Sequence, residues 1–198
     1  MSVRAYVGLG ANLSDRLGAL RQAVAALEAE AGTVAAVSSV YETEAWVLPG
    51  TPPQPDHLNA VVALDTDLEA DVLLDVLHAI ERLAGRDHDA PRWSPRALDL
   101  DLLLWSDLEV GEPDLVLPHP GLASRRFVLA PLAEIAPDLE VPGLDTTVAA
   151  LLKSCPDDLR VGRAAARLRS VELATPPSVR PRRPTAGTGE VPSGRGPS

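Results

Sequence analysis

The sequence predicts an α+β domain built around an antiparallel sheet. Along the first half of the chain, apolar runs and helical spacings follow in the order strand, helix, strand, strand, helix, strand. Glycines follow both predicted helices, and the last strand is a strict alternation of leucine and aspartate. This order is typical of the split βαβ, ferredoxin-like arrangement. We therefore predict a ferredoxin-like βαββαβ core with helices on one face of the sheet and long catalytic loops over a site on the other.

Each element follows from a local pattern. Val3–Leu9 is an apolar strand, and the glycine-rich segment after it predicts a turn with Asn12 or Ser14 as the helix cap. Apolar residues at helical spacing then predict a helix that ends at Gly32. The later elements are predicted in this order: a strand over Val34–Tyr41, a loop over 42–57, a strand over Leu58–Leu64, a helix over Leu68–Leu83, a loop over 86–97, the leucine–aspartate strand, short elements over Leu115–Leu117 and Phe127–Leu132, and a helix near Thr147–Leu152.

Charge is distributed unevenly along the 198 residues. The formal net charge is −10, although residues 156–198 carry eight arginines against four acidic residues. An acidic body disfavours nucleic acid as a partner. The chain end is rich in proline, glycine, serine and arginine, a composition that buries too little apolar surface to fold. We predict a folded domain over residues 1–155, an extension over 156–174 and a disordered tail over 175–198.

Cysteine content and hydropathy indicate the compartment. Cys155 is the single cysteine, so no disulfide can form within the chain, as expected in a reducing environment. The N-terminal residues lack the apolar stretch of a signal peptide, and no run reaches the length of a membrane span. We therefore expect a cytoplasmic protein with no membrane partner, whose oligomeric state the sequence does not reveal.

The most informative segment is the leucine–aspartate strand and the arginine-containing loop before it. Because side chains alternate along a strand, Asp99 and Asp101 lie on one face, with their Cα atoms about 6.6 Å apart. Acidic residues on a solvated strand face are common, but aspartate is a poor strand former and like charges repel. With Arg92 and Arg96 just upstream, the pair favours a site for one or two Mg²⁺ ions and a polyphosphate.

Further motifs follow one another along the chain. They are Gly8-Leu9-Gly10-Ala11-Asn12-Leu13, Tyr41-Glu42-Thr43, Pro55-Asp56-His57-Leu58-Asn59-Ala60-Val61, Glu81 with Gly85-Arg86, Arg92-Trp93 with Pro95-Arg96 and Leu98-Asp99-Leu100-Asp101, Pro118-His119-Pro120, and Arg125-Arg126-Phe127-Val128-Leu129 with Pro131-Leu132 and Glu134-Ile135-Ala136-Pro137. Taken in this order, the motifs resemble those of the hydroxymethyl-dihydropterin pyrophosphokinase family of folate biosynthesis, and the resemblance extends from residue 1 to about 155.

The resemblance implies an ATP-dependent pyrophosphokinase. Such an enzyme transfers the terminal pyrophosphoryl group of ATP to the hydroxymethyl oxygen of a reduced pterin and releases AMP, with two Mg²⁺ ions bound alongside ATP. By resemblance, the residues divide into a catalytic set of Arg86, Arg96, Asp99 and Asp101, of which the two aspartates hold metal; an ATP-binding set of Glu81, Arg86, Arg96, Leu98, His119 and Arg125; and a pterin-binding set of Thr43, His57, Asn59, Trp93 and Phe127. We also expect the loop from Arg86 to Arg96 to close over ATP.

Two other classes of protein remain open on the residues alone. One is another magnesium-dependent phosphotransferase that uses the aspartate pair on a different acceptor. The other is a ferredoxin-like binding module without catalysis, in which Asp99 and Asp101 would only be solvated. ATP-dependent release of AMP would exclude the binding module, and binding of a reduced pterin would distinguish the two enzymes.

Overall fold

The fold is described from a computed structural model, which covers residues 2–45, 54–86 and 95–168. The middle of each predicted loop lies outside these residues, at 46–53 and at 87–94, and the second gap includes Arg92 and Trp93. The predicted tail over 175–198 also lies outside them. The described elements are the strands β1 (Val3–Ala11), β2 (Thr33–Val37), β3 (Tyr41–Thr43), β4 (His57–Thr66), β5 (Asp99–Trp105), β6 (Val110–Gly111), β7 (Val116–Leu117), β8 (Glu140–Val141), β9 (Thr146–Thr147) and β10 (Val161–Arg163), and the helices α1 (Arg16–Glu30), α2 (Ala70–Leu83), α3 (Arg126–Ile135) and α4 (Val148–Ser154).

The predicted antiparallel sheet is confirmed. Within the described residues, the main sheet has the order β10-β3-β4-β1-β5, with β2 also paired to β4. The predicted strand over Val34–Tyr41 is two strands, because Ser38 interrupts the regular pairing. The Ser38 N–H donates to the Val61 carbonyl, and its hydroxyl oxygen accepts from the Val61 N–H, both at 2.9 Å. A side chain thereby replaces a backbone acceptor at the break.

The two helices of the predicted core, α1 and α2, share one face of the sheet, but two further helices that were not predicted to cover the sheet pack on the opposite face. On one face, α1 and α2 bury a leucine-rich core against β1 and β4. On the opposite face, the segment predicted as a short element over Phe127–Leu132 is helix α3, which packs with α4 in a second core that includes Tyr6, Val61, Leu103, Leu129, Leu132 and Val148. None of the helices in the described ranges is long and apolar enough to cross a membrane.

The glycine-rich segment belongs to β1 and does not form the predicted turn. Gly8 and Gly10 pair with residues of both β4 and β5, and the strand continues to Ala11. Helix α1 begins later than predicted, because its cap is Asp15, whose side chain accepts from the Gly18 N–H at 2.9 Å. Asn12, one of the two predicted caps, is therefore available for another role.

The chain after α4 returns across the domain in a segment that we call the C-terminal strap (residues 155–168). Its strand β10 pairs with β3 at the sheet edge, and the Ala164 N–H donates to the Val40 carbonyl at 2.8 Å. Further along, Leu168 is 7% exposed within the core beneath α1. The strap therefore packs against the domain that was predicted to end at residue 155.

A carboxylate on α3 holds the strap and the sheet edge together. Glu134 accepts from the Ser39 hydroxyl at 2.8 Å and the Tyr41 hydroxyl at 3.0 Å, and it pairs with Arg163 at 3.0 Å. Burial acts to raise the pKa of Glu134, but these donors and the arginine outweigh it, so that its pKa lies below the ordinary value.

We expect Glu134→Gln to destabilise the fold at neutral pH by about 1.5 kcal/mol, the lower end of the range for a hydrogen bond to a charged group, because the carboxylate is partly exposed. Because the pKa is lowered on folding, this stabilisation is present above the unfolded pKa and is lost as pH falls through the lower folded pKa. Urea unfolding should show a difference in the free energy of unfolding between the original chain and the variant at pH 7, and this difference should disappear as the pH drops below 4.5. A difference that does not depend on pH would contradict a role for the charge of Glu134.

Candidate active site

A cavity of about 620 Å³ opens over the part of the sheet that α3 leaves uncovered. It brings together most of the residues predicted from the sequence. From the predicted sets, its walls include Thr43, His57, Asn59, Arg96, Asp99, Asp101, His119, Arg125 and Phe127. The site is therefore formed by strands β3, β4 and β5, the turn after β7 and the start of α3.

Two predicted residues lie beneath the cavity. Leu98 is 1% exposed within the α1–α2 core, so only its main chain could contact ATP. Glu81 on α2 is fully buried, accepts from the Leu100 N–H at 2.7 Å and contacts the Arg86 guanidinium. Burial raises the pKa of Glu81 to about 7, although Leu100 and Arg86 act to lower it. Glu81 thus supports β5 and Arg86 from below.

The two aspartates share one face of β5, as the alternation predicts. In the antiparallel register Gly10 lies opposite Asp99 and Gly8 opposite Asp101, so no β1 side chain stands beside either carboxylate. A Cβ atom added to Gly10 would lie 3.3 Å from Asn59 Oδ1 and 3.7 Å from the Asp99 Cβ. The bare backbone at Gly10 therefore forms part of the cavity floor.

Two arginines converge on Asp99. Arg86 Nη1 lies 2.6 Å from Asp99 Oδ1, and Arg96 Nη1 lies 2.9 Å from both Asp99 oxygens. These are charge-assisted contacts at the ends of the predicted loop over 86–97. A polyphosphate entering the cavity would meet two guanidinium groups within reach of the same carboxylate.

Asn12 holds the base of this loop in place. Its side-chain oxygen accepts from the Arg96 N–H at 2.7 Å, and its own N–H donates to the Arg96 carbonyl at 3.1 Å. Its amide nitrogen lies 3.3 Å from Gln54 Oε1, at the end of the other long loop. Sequence reasoning missed this role because asparagine after a glycine-rich segment is equally typical of a helix cap.

His119 lies over the second aspartate. The Gly121 N–H donates to His119 Nδ1 at 3.0 Å, so the neutral ring carries its proton on Nε2, which is 3.9 Å from Asp101 Oδ1. Burial lowers the pKa of His119, with Asp101 opposing that shift. Burial and the neighbouring Asp99 charge raise the pKa of Asp101. The imidazole can thus donate toward an anion bound at this end of the cavity.

The cavity residues on β3 and β4, which β1 separates from the aspartates of β5, suit a flat, polar ring. Asn59 Nδ2 donates to Thr43 Oγ1 at 2.7 Å, and both residues are buried. This leaves Asn59 Oδ1, above Gly10, as an acceptor. Phe127 and His57 contribute rings, and burial lowers the pKa of His57, which favours its neutral form.

The aspartate pair fits a divalent cation that also binds phosphate. In the described ranges no cluster of three or more acidic, histidine or cysteine side chains is placed to hold a metal. Mg²⁺, however, is commonly bound by one or two carboxylates, with phosphate oxygens and water completing its shell. A cation would also offset the burial and like-charge repulsion that raise the pKa of Asp101.

Several cavity residues carried no signal in the sequence. Pro156, Asp157 and Leu159 line the cavity from the C-terminal strap, Ser124 lines it from a short 3-10 helix (Leu122–Ser124), and Glu44 lines it from the segment after β3. They fall in segments without periodicity or a recognisable motif, so only their position in the fold reveals them. Trp93, predicted at the pterin, lies outside the described residues.

An antiparallel sheet whose open face presents paired carboxylates, arginines and a ring-lined pocket suits an enzyme that acts on a metal-bound polyphosphate. Comparison with known proteins narrows this class of enzyme to one family. Residues 6–137 match the model of the family described as 7,8-dihydro-6-hydroxymethylpterin-pyrophosphokinase (HPPK). The chain belongs to this family.

Individual relatives support this assignment, and a solved structure has a similar fold. The chain is 44% identical over 157 residues to the 2-amino-4-hydroxy-6-hydroxymethyldihydropteridine pyrophosphokinase of Methylorubrum extorquens, covering 79% of this chain and 96% of that protein. The enzyme of the same name from Bacillus subtilis is 44% identical over 137 residues, which cover 69% of this chain and 80% of that protein. The fold is similar to a crystal structure of wild-type Plasmodium falciparum HPPK-DHPS, with a TM-score of 0.61 and 14% identity over 78% of this chain and 45% of that one.

Proposed function

We propose that this protein transfers pyrophosphate from ATP to the hydroxymethyl group of 6-hydroxymethyl-7,8-dihydropterin and releases AMP, a step of folate biosynthesis. The observation that carries the proposal is the cavity itself. Its lining includes the carboxylates of Asp99 and Asp101 on β5 and the Arg96 guanidinium, and it also includes the polar pair Asn59–Thr43 on β4 and β3 together with the His57 and Phe127 rings. Family membership gives this geometry its substrates, ATP and a reduced pterin.

The residues divide the work between positioning and charge stabilisation. Asn59 offers Oδ1 to the polar edge of the pterin, and Phe127 and His57 stack against its faces. Arg86 and Arg96 leave Asp99 to contact the phosphates, and His119 and Arg125 hold the nucleotide phosphates. In-line placement of the hydroxymethyl oxygen against the β-phosphorus supplies most of the rate enhancement, and the arginines stabilise charge on the transferred and leaving groups.

Asp99 and Asp101 are the residues that would hold Mg²⁺, and we propose two ions bound together with ATP. Bound there, the ions would neutralise charge along the triphosphate.

We also propose a finer topology for the sheet. The core β1-α1-β2/β3-β4-α2-β5 has the ferredoxin-like arrangement, with β2 and β3 as the two halves of one interrupted strand.

The proposal is tested by measuring AMP release with hydroxymethyl-dihydropterin and with 6-methyl-dihydropterin, which lacks the acceptor oxygen. We expect turnover with the first and none with the second, while both bind. AMP formation that ignores the acceptor would favour a hydrolase. Turnover on unrelated alcohols but not on the pterin would favour the other class of phosphotransferase, which the family match disfavours.

The cavity floor gives a prediction of its own. Gly10→Val adds an isopropyl group between Asn59 and Asp99, while valine suits the strand conformation. We expect a folded protein whose KM for the pterin rises at least about tenfold, the scale of a steric clash of a kcal/mol or more. The matched control is Gly111→Val, at a position where an added Cβ meets no atom within 4 Å, and it should leave KM unchanged. Equal kinetics for the two variants would remove Gly10 from the site.

The chain end gives a second prediction, for residues outside the described ranges. We propose that residues 175–198 are dispensable, because their composition cannot offset the entropy of ordering. Truncation after Ala174 should leave turnover and melting temperature close to those of the full chain at physiological salt. A marked loss in either, absent at high salt, would show that the arginines of the tail act electrostatically on the acidic body.

A further inference from the structure

The C-terminal strap forms part of the cavity wall. Pro156, Asp157 and Leu159 line that cavity beside Phe127 and Glu44. The strap lies beyond residues 6–137, which match the family. It is also bonded to β3 and to the residue after it, because Val161 pairs with Thr43 and the Glu44 N–H donates to the Arg160 carbonyl at 3.3 Å.

Asp157 is the residue that joins the strap to α3. Its Oδ2 accepts from the Arg126 N–H at 2.9 Å, in the first turn of α3, and its Oδ1 accepts from the Leu159 N–H at 3.0 Å. Its carbonyl accepts from Arg126 Nε at 2.8 Å, and the Cys155 carbonyl accepts from Arg126 Nη2 at 3.3 Å. One side chain thus fixes both the start of the helix and the turn of the strap.

This junction fixes the cavity residue Phe127, which follows Arg126 in the first turn of α3. Arg125 precedes that turn as its N-cap residue and is not held by Asp157, although its guanidinium lies 5.9 Å from the centre of the Phe127 ring. The first turn of α3 has no capping side chain of its own at Arg125, so Asp157 supplies the acceptor from a distant part of the chain. If that acceptor is lost, the first turn can fray and the Phe127 ring loses its fixed position.

We propose that Asp157 is a positioning residue for pterin recognition: through the Arg126 N–H it holds Phe127 against the pterin, while Leu159 closes the same wall from the strap. This inference rests on the proposed function. It assigns Asp157 no contact with the reacting atoms, and it predicts an effect on binding of the pterin and little effect on the chemical step.

The test compares steady-state kinetics of four variants of the full chain. Asp157→Ala should raise KM for hydroxymethyl-dihydropterin about fivefold or more, since a lost cap is worth about 1 kcal/mol, while kcat and KM for ATP stay within about twofold. Asp157→Asn keeps one oxygen, which can accept from the Arg126 N–H although the bond from the Leu159 N–H is lost, and it should keep KM within about twofold of the original chain. Leu159→Ala leaves the cap intact and should raise KM for the pterin about threefold, which keeps the test open if Asp157→Ala does not fold.

Arg163→Ala is the matched control, because it loosens the same strap at the Glu134 pair, away from the cavity. It should lower the melting temperature and leave KM for the pterin unchanged. An unchanged pterin KM in both Asp157→Ala and Leu159→Ala, in chains that form AMP, would overturn the inference and reduce Asp157 to a purely structural cap. Absence of AMP formation by the original chain would instead overturn the proposed function, so the two failures are distinguishable.

Discussion

Asp101→Asn should reduce kcat/KM by about three orders of magnitude or more and leave the protein folded. The expected loss reflects several kcal/mol of transition-state stabilisation that depends on a carboxylate oxygen at this position. The fold should not suffer, because burial and Asp99 raise the pKa of Asp101 and so already disfavour its charged form. A neutral amide removes that repulsion, and the melting temperature should stay the same or rise slightly.

Asp99→Asn should lower activity to a similar extent. It also removes the carboxylate that accepts from both Arg86 and Arg96, although Arg86 would keep its contact with Glu81. The matched control is Asp65→Asn, which breaks an exposed pair with Arg4 at the far end of β4 and should keep full turnover. Near-normal AMP release by either site variant at saturating Mg²⁺ would show that the pair does not hold the metal.

Arg96→Ala should slow the chemical step by about two to three orders of magnitude, the effect of removing one preorganised group that stabilises charge in the transition state. Its guanidinium now contacts Asp99, and its backbone stays anchored on Asn12 through two hydrogen bonds that the substitution does not touch. We therefore expect the loop base to stay in place. The affinity for ATP should fall less than the rate of phosphoryl transfer.

Single-turnover rates and nucleotide binding measured on the same samples separate these effects. Arg96→Lys, which keeps the charge but loses the planar fork, should recover part of the rate. Equal losses in ATP affinity and single-turnover rate for Arg96→Ala would make Arg96 a binding residue without a special role in the chemical step.

The main features of the site could be predicted because alternation along a strand is a local property. The pattern around Asp99 and Asp101 determines which face they share, whatever the rest of the chain does. The predicted turn at Gly8 and Gly10 was wrong for the opposite reason. Glycine is equally compatible with a tight turn and with a strand whose missing side chains leave room for a ligand, and only the pairing with β4 and β5 decides between them.

The sheet face on which α3 packs and the path of the strap could not be predicted, because both depend on contacts between residues that are distant in sequence. Whether α3 packs on the face of α1 or on the opposite face depends on long-range contacts such as Leu129 with the core around Val61 and Leu103. Asp157 is one acidic residue in a segment without periodicity, and its role depends on meeting the Arg126 N–H across 31 residues of chain. Such pairings have no local signature in a single sequence.

The most direct measurement of the central claim is phosphorus NMR of the products formed from ATP, Mg²⁺ and hydroxymethyl-dihydropterin. The claim is that the carboxylates and arginines on this cavity direct attack to the β-phosphorus of ATP. It predicts AMP and a diphosphate ester of the pterin in equal amounts, with both products lost in Asp101→Asn. ADP with a pterin monophosphate would place attack at the γ-phosphorus and contradict the account.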